Sequence, residues 1–267
     1  MNIQQIKIVF LLTIIWASMG HLIAQTPYEF NWKKETGYLA VGGISLGLGI
    51  YLRSQTNVLT ISEIGALNAT NINSFDRETT NEYSANARKA SDYFWAGSHG
   101  LSLLFLTSKK TRTNFGIIGG LYGEVFLING GLTTLTKYTV QRSRPFVYND
   151  IVPIEKKLTR NARTSFFSGH TSFTAANTFF IAKVFSDYHP YSKWKPLIWG
   201  LAATIPAATG YFRIAGGKHF PTDVITGYAI GAAVGLLVPH WHRKKAKDNG
   251  LSFHGGMNGV LLVYRIQ

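Results

Sequence analysis

Two histidines and one carboxylate in this sequence stand where they could transfer a phosphoryl group. His219 lies two residues before Pro221, which suits the first turn of a helix, and Asp223 follows His219 by four positions. A carboxylate at that spacing can fix the tautomer of an imidazole and raise the nucleophilicity of its outer nitrogen. His170 supplies a second imidazole, which could protonate a leaving oxygen. The alternative for the His–Asp pair is a purely structural contact.

The residues just before His170 could bind an anion. Ser168 can cap the helix that begins there, and the first backbone N–H groups of that helix are then free to bind a phosphate oxygen. Gly169 has no Cβ and lets an oxygen approach the backbone closely. The alternative is an ordinary serine cap followed by a solvated histidine.

Three cations complete the set. Lys137 and Arg144 lie seven residues apart, about two helical turns, so they share a face if the preceding helix continues. Pro145 then marks the end of that helix, because the residue before a proline avoids the helical region. Arg213 opens the segment that contains His219. Such residues could also be a basic cluster flanking a membrane helix, but together the three groups predict a metal-independent phosphoryl-transfer site.

Long stretches with few charges must position these residues. Apolar residues make up 46% of the 267 residues and charged residues 15%, and there is no cysteine. This composition excludes an intrinsically disordered chain, a disulfide scaffold and a thiolate metal site. Windows of 15 to 22 residues, rich in small residues, approach the ~20 that a helix needs to cross a bilayer. They are Thr36–Leu52, Tyr93–Ser108, Phe115–Thr136, Ser168–Ala182, Pro196–Phe212 and Val224–His240.

These windows predict an all-α fold, a polytopic membrane helical bundle with about six transmembrane helices. A soluble domain with very apolar helices is the alternative. Basic clusters at 109–112, 193–195 and 243–247 fall at alternate ends of the last five windows, so all of them can face the cytoplasm. The loops 137–167 and 213–223 then face the other side, which places the site at the periplasmic face of a bacterial inner membrane. The net charge of +14 favours an anionic partner.

The chain is expected to divide into four parts. Residues 1–24 have a basic start and an apolar core, which is typical of a secretory signal peptide or, alternatively, of an uncleaved N-terminal anchor. Residues 25–92 hold an apolar segment and an acidic outer loop, 93–242 the membrane domain with the site, and 243–267 a basic, Gly-rich tail with a strand-like end. A cleaved signal conflicts with the charge map if Thr36–Leu52 crosses the membrane, since every later loop would be inverted.

The three motifs, taken in order, identify a family. The patterns K-x6-R-P, S-G-H and R-x5-H-x3-D occur across roughly residues 90–240. Their order resembles the type 2 phosphatidic-acid phosphatase family, whose superfamily includes bacterial class A acid phosphatases and vanadium haloperoxidases. The resemblance implies that His219 becomes a phosphohistidine, that Asp223 orients it and that His170 is the general acid. It implies phosphate binding by Lys137, Arg144, Ser168, Gly169 and Arg213, with no metal and no cofactor.

Two positions depart from the family pattern. Phe167 replaces the usual proline before S-G-H, and Phe212 replaces the usual serine before Arg213. Neither change removes a group that acts in the expected chemistry. The missing serine hydroxyl bears on phosphate affinity or substrate preference.

The resemblance implies a membrane phosphatase that hydrolyses a lipid phosphate monoester or pyrophosphate. Phosphatidic acid, phosphatidylglycerol phosphate, undecaprenyl pyrophosphate and the phosphate of lipid A are candidate substrates, so the expected partner is an anionic phospholipid or an isoprenoid phosphate in a membrane. The alternatives are a secreted acid phosphatase acting on soluble esters and a non-catalytic lipid-phosphate-binding relative. No nucleic-acid partner is expected, because the basic residues form no continuous stripe. Four basic residues could steer a headgroup or simply face solvent: Lys156, Lys157, Arg160 and Arg163.

Two polar residues lie outside the motifs. Glu124, inside the Phe115–Thr136 window, is expected to hydrogen-bond to another helix rather than to act as a functional intramembrane carboxylate. His242 matches no motif and is expected at an interface or in solvent.

Overall fold

The computed structural model describes residues 26–244 and the backbone of two strands near the C-terminus. Within 26–244 the helices are α1 (Trp32–Gln55), α2 (Ile61–Gly65), α3 (Ser74–Arg77), α4 (Ala85–Leu101), α5 (Lys109–Thr113), α6 (Phe115–Val140), α7 (Ile154–Lys157), α8 (Gly169–Tyr188), α9 (Lys195–Ala215) and α10 (Pro221–Trp241). Short 3₁₀ helices occupy Ala69–Asn71, Glu78–Asn81, Ser102–Leu106, Pro145–Val147 and Arg160–Arg163. The strands β1 (Ser252–Gly256) and β2 (Gly259–Val263) pair antiparallel. Helices α1, α4, α6, α8, α9 and α10 form a bundle.

The bundle exposes many large apolar side chains, and its interior combines an apolar cluster with buried hydroxyl and amide side chains. Along α1 the apolar side chains are exposed, Ile44 by 62%. Helix α8 buries Thr171, Ser172 and Asn177 instead. Ser172 Oγ donates a hydrogen bond of 2.7 Å to Asn129 Oδ1 on α6. An apolar exterior around buried polar side chains is typical of helices that pack in lipid.

Glycines bring α8 and α10 into backbone contact. Gly227, Gly231 and Gly235, which we call the glycine stripe, face backbone carbonyl groups of α8 at intervals of four residues. A Cβ added at Gly231 would lie 2.0 Å from the carbonyl oxygen of Ser172. Only glycine permits this approach, so the stripe holds the beginnings of both helices side by side.

Helix α1 runs beside α6 in the same direction along the bundle. Gly42 packs against Leu127. Gly49, about two turns later in α1, packs against Leu135, which is also about two turns later in α6. The residues just before α1 pair with those just after α10 through an isolated β-bridge. The predicted window Thr36–Leu52 is therefore part of a helix that begins at the end of the bundle carrying the basic clusters.

The prediction of a mostly helical chain is confirmed, with one correction. Residues 259–263, predicted to be strand-like, form β2, so the chain as described contains a β-hairpin and is not all-α. Two segments, Phe115–Val147 and Pro221–Trp241, are long and apolar enough to cross a membrane by length and composition. The predicted signal peptide at 1–24 lies outside the described residues.

Candidate active site

A polar cavity of about 440 Å³ lies at one end of the bundle. At this end α6 and α9 finish and α8 and α10 begin, so residues from three separate motifs meet. The lining residues are Asp92, Lys137, Tyr138, Arg144, Asn161, Thr164, Gly169, His170, Arg213, Lys218 and His219. The cavity thus brings together six of the residues predicted from the sequence, while Asp223 and Ser168 lie behind its wall.

His219 points one ring nitrogen into the cavity and has the other fixed by the backbone. Its Nδ1 lies 2.7 Å from the carbonyl oxygen of Ser165. A carbonyl only accepts hydrogen bonds, so Nδ1 carries the proton and Nε2 carries the lone pair. Nε2 receives a hydrogen bond of 3.2 Å from Arg144 Nη1. Burial and the nearby charges of Arg144 and Lys137 hold the pKa of His219 well below its usual range, which keeps the imidazole neutral.

Asp223 supports His219 mainly through Ser165. The Asp223 Oδ2 atom lies 3.6 Å from His219 Nδ1, whereas Ser165 Oγ donates to Oδ2 at 2.5 Å. The same carboxylate accepts the backbone N–H of Phe220 at 2.9 Å and Arg142 Nη1 at 2.6 Å. The sequence predicts a direct contact between the carboxylate and the imidazole. In the structure, the backbone carbonyl of Ser165 accepts the hydrogen bond from His219 Nδ1. The Asp223 carboxylate holds Ser165 in place through the serine hydroxyl.

His170 lies across the cavity with a carboxylate of its own. His170 Nε2 is 3.0 Å from Asp92 Oδ1, and the His170 ring lies 5.3 Å from the Trp95 ring, centroid to centroid. The Asp92 carboxylate accepts a hydrogen bond from Nε2–H, so this contact orients the ring and sets which ring nitrogen carries the proton.

Backbone and hydroxyl groups hold the three predicted cations, and of the three only Arg213 has a carboxylate of residues 26–244 within ion-pair distance, Asp92 at 3.5 Å. Lys137 Nζ donates to the carbonyl of Thr164 at 2.7 Å. Arg144 donates through Nε to the carbonyl of Asn161 at 2.8 Å. Arg213 Nη1 donates to Ser91 Oγ at 3.2 Å, and its buried Nε has no hydrogen-bond partner. Positive charge and a free donor in one cavity are the features of an anion site.

The start of α8 contributes a backbone surface. Gly169 lines the cavity at the first turn of α8, where backbone N–H groups are unpaired by the helix. Ser168 precedes it as the N-cap residue, but its hydroxyl lies fully buried, 2.9 Å from Thr171 Oγ1. The predicted contribution of the Ser168 hydroxyl to phosphate binding therefore has no counterpart in the cavity lining.

Sequence reasoning missed two lining residues that carry charge, Asp92 and Lys218. Asp92 lies on α4, far from the motifs, and nothing in its neighbourhood marks it in the sequence. Lys218 precedes His219 directly, and that adjacency was an available signal. Burial and the charges of Arg144 and Arg213 lower the pKa of Lys218 to about 7.

A second, smaller cavity of about 240 Å³ adjoins the first, since Asn161 and Lys218 line both. Of the four basic residues that could steer a headgroup, Lys156 lines this second cavity. Arg160 donates instead to the carbonyl of Thr56 at 3.0 Å. Arg163 forms an ion pair with Glu63.

Comparison with known proteins gives the same assignment as the motifs. Residues 119–247 match the profile of the PAP2 superfamily. The chain is 30% identical over 139 residues to the lipid A 4'-phosphatase of Porphyromonas gingivalis, covering 51% of this chain and 56% of that protein. It is 31% identical over 114 residues to phosphatidylglycerophosphatase B of Bacillus subtilis, covering 42% and 52%. Phospholipid phosphatase 1 of Rattus norvegicus is 28% identical over 130 residues, covering 40% and 45%.

The chain thus spans about half the length of the curated relatives it matches. Among solved structures, it is similar to a transmembrane PAP2-type phosphatidylglycerolphosphate phosphatase from Bacillus subtilis, with a TM-score of 0.38 and 19% identity over 88% of this chain and 94% of that one. The matched segment 119–247 contains all three motifs that meet in the cavity, and this segment is similar to the PAP2 superfamily.

Proposed function

We propose that this chain is a membrane phosphatase that removes phosphate from a lipid phosphate monoester or pyrophosphate through a phosphohistidine on His219. The observation that carries the proposal is the state of His219. Its Nδ1 proton is committed to the Ser165 carbonyl, so the lone pair of Nε2 faces a cavity lined by cations. A neutral, oriented imidazole beside an excess of positive charge is suited to attack phosphorus in an anionic ester.

The lining residues can perform both halves of the reaction. In the first half, Nε2 of His219 attacks phosphorus, a P–N bond forms, and the bond to the leaving oxygen breaks as His170 gives that oxygen a proton. In the second half, water loses a proton to His170 and attacks the phosphohistidine, which breaks the P–N bond and releases inorganic phosphate. Lys137, Arg144 and Arg213 neutralise the phosphoryl oxygens throughout.

The apolar exterior of the bundle supports a lipid substrate and about six spanning helices. Six helices of 17 to 26 residues run along the bundle, and at about 1.5 Å per residue they span about 26–39 Å, against about 30 Å for a hydrocarbon core. The similar proteins are a lipid A 4'-phosphatase, a phospholipid phosphatase and a phosphatidylglycerophosphatase. The headgroup would meet the cavity at the bundle end while an apolar tail stays in lipid.

The basic end of the bundle belongs in the cytoplasm under this proposal, and the cavity at the periplasmic face of a bacterial inner membrane. The charge clusters support this orientation, because α5, the beginning of α9 and the residues after α10 all lie at the end opposite the cavity. Helix α1 also begins at the basic end. An uncleaved N-terminal segment at 1–24 agrees with that placement, whereas a cleaved secretory signal would leave the beginning of α1 on the other side.

The test is phosphate release by the full chain in detergent micelles, from a panel of lipid phosphates and one soluble ester. We expect release from at least one lipid and a loss of at least about 10⁴-fold in kcat in His219→Ala, as for removal of a nucleophile. His240→Gln, a change at an exposed histidine at the far end of α10, is the control and keeps wild-type activity.

Two outcomes would contradict the proposal. A preference for the soluble ester would indicate an acid phosphatase. Binding of lipid phosphate without release, by a folded wild-type chain, would indicate a non-catalytic relative.

A further inference from the structure

Three polar side chains from separate parts of the sequence meet at the end of the bundle opposite the cavity. Glu35 lies in the first turn of α1, Glu124 lies within α6, and His242 directly follows α10. His242 Nε2 is 2.9 Å from Glu35 Oε2 and 3.3 Å from Glu124 Oε2. The ligand atoms of all three residues lie within 4.8 Å of one another. Along α6, Glu124 is 13 residues from Lys137 of the cavity, which is about 20 Å.

The backbone determines which nitrogen of His242 faces the two carboxylates. His242 Nδ1 lies 2.7 Å from the carbonyl oxygen of Val238, which only accepts hydrogen bonds. Nδ1 therefore carries the proton, and in the neutral imidazole Nε2 presents its lone pair to two carboxylate oxygens. Three electron-rich atoms at these distances repel one another unless something positive lies among them.

The protein supplies little positive charge to this cluster. Among residues 26–244, His242 is the only basic side chain that forms an ion pair with either carboxylate. Glu35 Oε1 accepts the backbone N–H of Asn31 at 2.9 Å. Glu124 Oε2 has no hydrogen-bond partner, although the Glu124 side chain is 94% buried, with 6% of its surface exposed. A buried carboxylate oxygen without a donor is costly, and a bound cation satisfies it.

We propose that Glu35, Glu124 and His242 bind a divalent transition-metal ion of the zinc class. Two carboxylate oxygens and one imidazole nitrogen form a donor set that such ions accept, with a fourth position open to water. The Val238 carbonyl accepts the hydrogen bond from His242 Nδ1 and so fixes the tautomer and orientation of the ring. Metal-binding histidines usually have such a partner on the second ring nitrogen. The Asn31 N–H holds Glu35 in the same way.

The ion joins three segments that no disulfide could join, because the chain has no cysteine. It ties the beginning of α1 to the middle of α6 and to the end of α10. Its role is structural, because the cluster lies far from His219 and shares no residue with the cavity lining.

The test measures metal content and thermal stability of the full chain purified in detergent without added chelator. After loading with Zn²⁺ and gel filtration, we expect about one ion per chain. Excess Zn²⁺ at 100-fold over its Kd raises Tm by about 5 °C or more, and a strong chelator reverses the shift. Glu124→Gln and His242→Gln are expected to weaken Zn²⁺ binding by more than about 100-fold, since loss of a partner behind a ligand alone costs about 10–100-fold.

Glu29→Gln is the matched control, because Glu29 is an exposed acid near the beginning of α1 and outside the cluster. It keeps the wild-type ion content. A wild-type chain that binds no Zn²⁺ and shows no change in Tm would overturn the proposal and leave a proton shared among the three side chains. Equal Zn²⁺ affinity in Glu124→Gln, His242→Gln and the wild type would also overturn it.

Discussion

The two ends of the bundle both bury charged side chains, but the charges have opposite signs and different access to solvent. The cavity end is lined by Lys137, Arg144, Arg213 and Lys218 with one acid, Asp92, whose side chain is 59% exposed. The basic end holds two carboxylates and His242, whose side chain is 2% exposed. An open cationic cavity suits an anion that arrives and leaves, whereas a closed anionic cluster suits a cation that stays.

The difference shows how the same bundle separates chemistry from stability. At the cavity end, hydrogen bonds to backbone carbonyls position Lys137, Arg144 and His219, and the cavity keeps more cations than carboxylates. At the opposite end of the bundle, the Glu35 and Glu124 carboxylates lie close to each other and to His242. Their negative charge is not balanced by a lysine or arginine among residues 26–244. Changes at one end should therefore leave the other end unaffected, because sites this far apart usually act additively.

The largest expected effect that distinguishes the ends comes from His170→Gln. We expect kcat for a lipid phosphate to fall by about 10²–10⁴-fold, because the leaving alkoxide loses its proton donor. With p-nitrophenyl phosphate the loss is smaller, because p-nitrophenolate leaves without a proton. Zn²⁺ content stays at the wild-type value. An equal loss with both substrates would contradict the assignment of His170 as the general acid.

A smaller effect, a loss of stability of the whole bundle, is expected from Gly231→Ala in the middle of the glycine stripe. Its Cβ would meet the Ser172 carbonyl at 2.0 Å, and backbone cannot move aside as a side chain can. We expect a loss of about 1–3 kcal/mol in the free energy of unfolding, measured as a lower Tm in detergent. Gly200→Ala on α9 is the control, since nothing lies within 4 Å of its added Cβ. A Tm for Gly231→Ala equal to that control would show that the α8–α10 contact is looser than described.

The smallest effect concerns pH and is confined to the cavity. With a pKa of about 7, Lys218 is charged below that pH and loses its charge as the pH rises through it. We expect KM to rise by roughly tenfold above pH 7, because one charged hydrogen bond to the anion is lost. In Lys218→Arg the cation persists and KM stays flat across the same range. A rise of the same size in Lys218→Arg would assign the pH dependence to another group.

The cavity was predictable from the sequence because its main residues come from helix ends marked by local patterns. Pro145, Pro221 and the S-G-H motif show where helices stop or start, and a bundle brings such ends together. The partners that hold these residues were not predictable. Nothing in the sequence indicates that a backbone carbonyl, that of Ser165, takes the Nδ1 proton of His219.

The cluster at the basic end was not predictable for a different reason. Glu35, Glu124 and His242 lie in three separate windows or their flanks, about 90 and 120 positions apart along the chain, and no spacing rule connects them. The sequence indicated only that Glu124 would meet a polar group on another helix. The structure places the His242 imidazole, just after α10, 3.3 Å from Glu124 Oε2, but that oxygen has no hydrogen-bond partner among residues 26–244.

The glycine stripe also makes the positions of the two cavity histidines, His170 and His219, independent of the side chains on the outer surface of α10. Since α8 and α10 touch through backbone atoms, the outward side chains of α10, such as Ile225 and Leu237, take no part in setting the distance between His170 and His219. For protein engineering, the outward side chains of α10 can therefore be replaced without changing how α8 and α10 pack. A water-soluble variant can carry polar residues on that outer surface and retain the three glycines of the stripe.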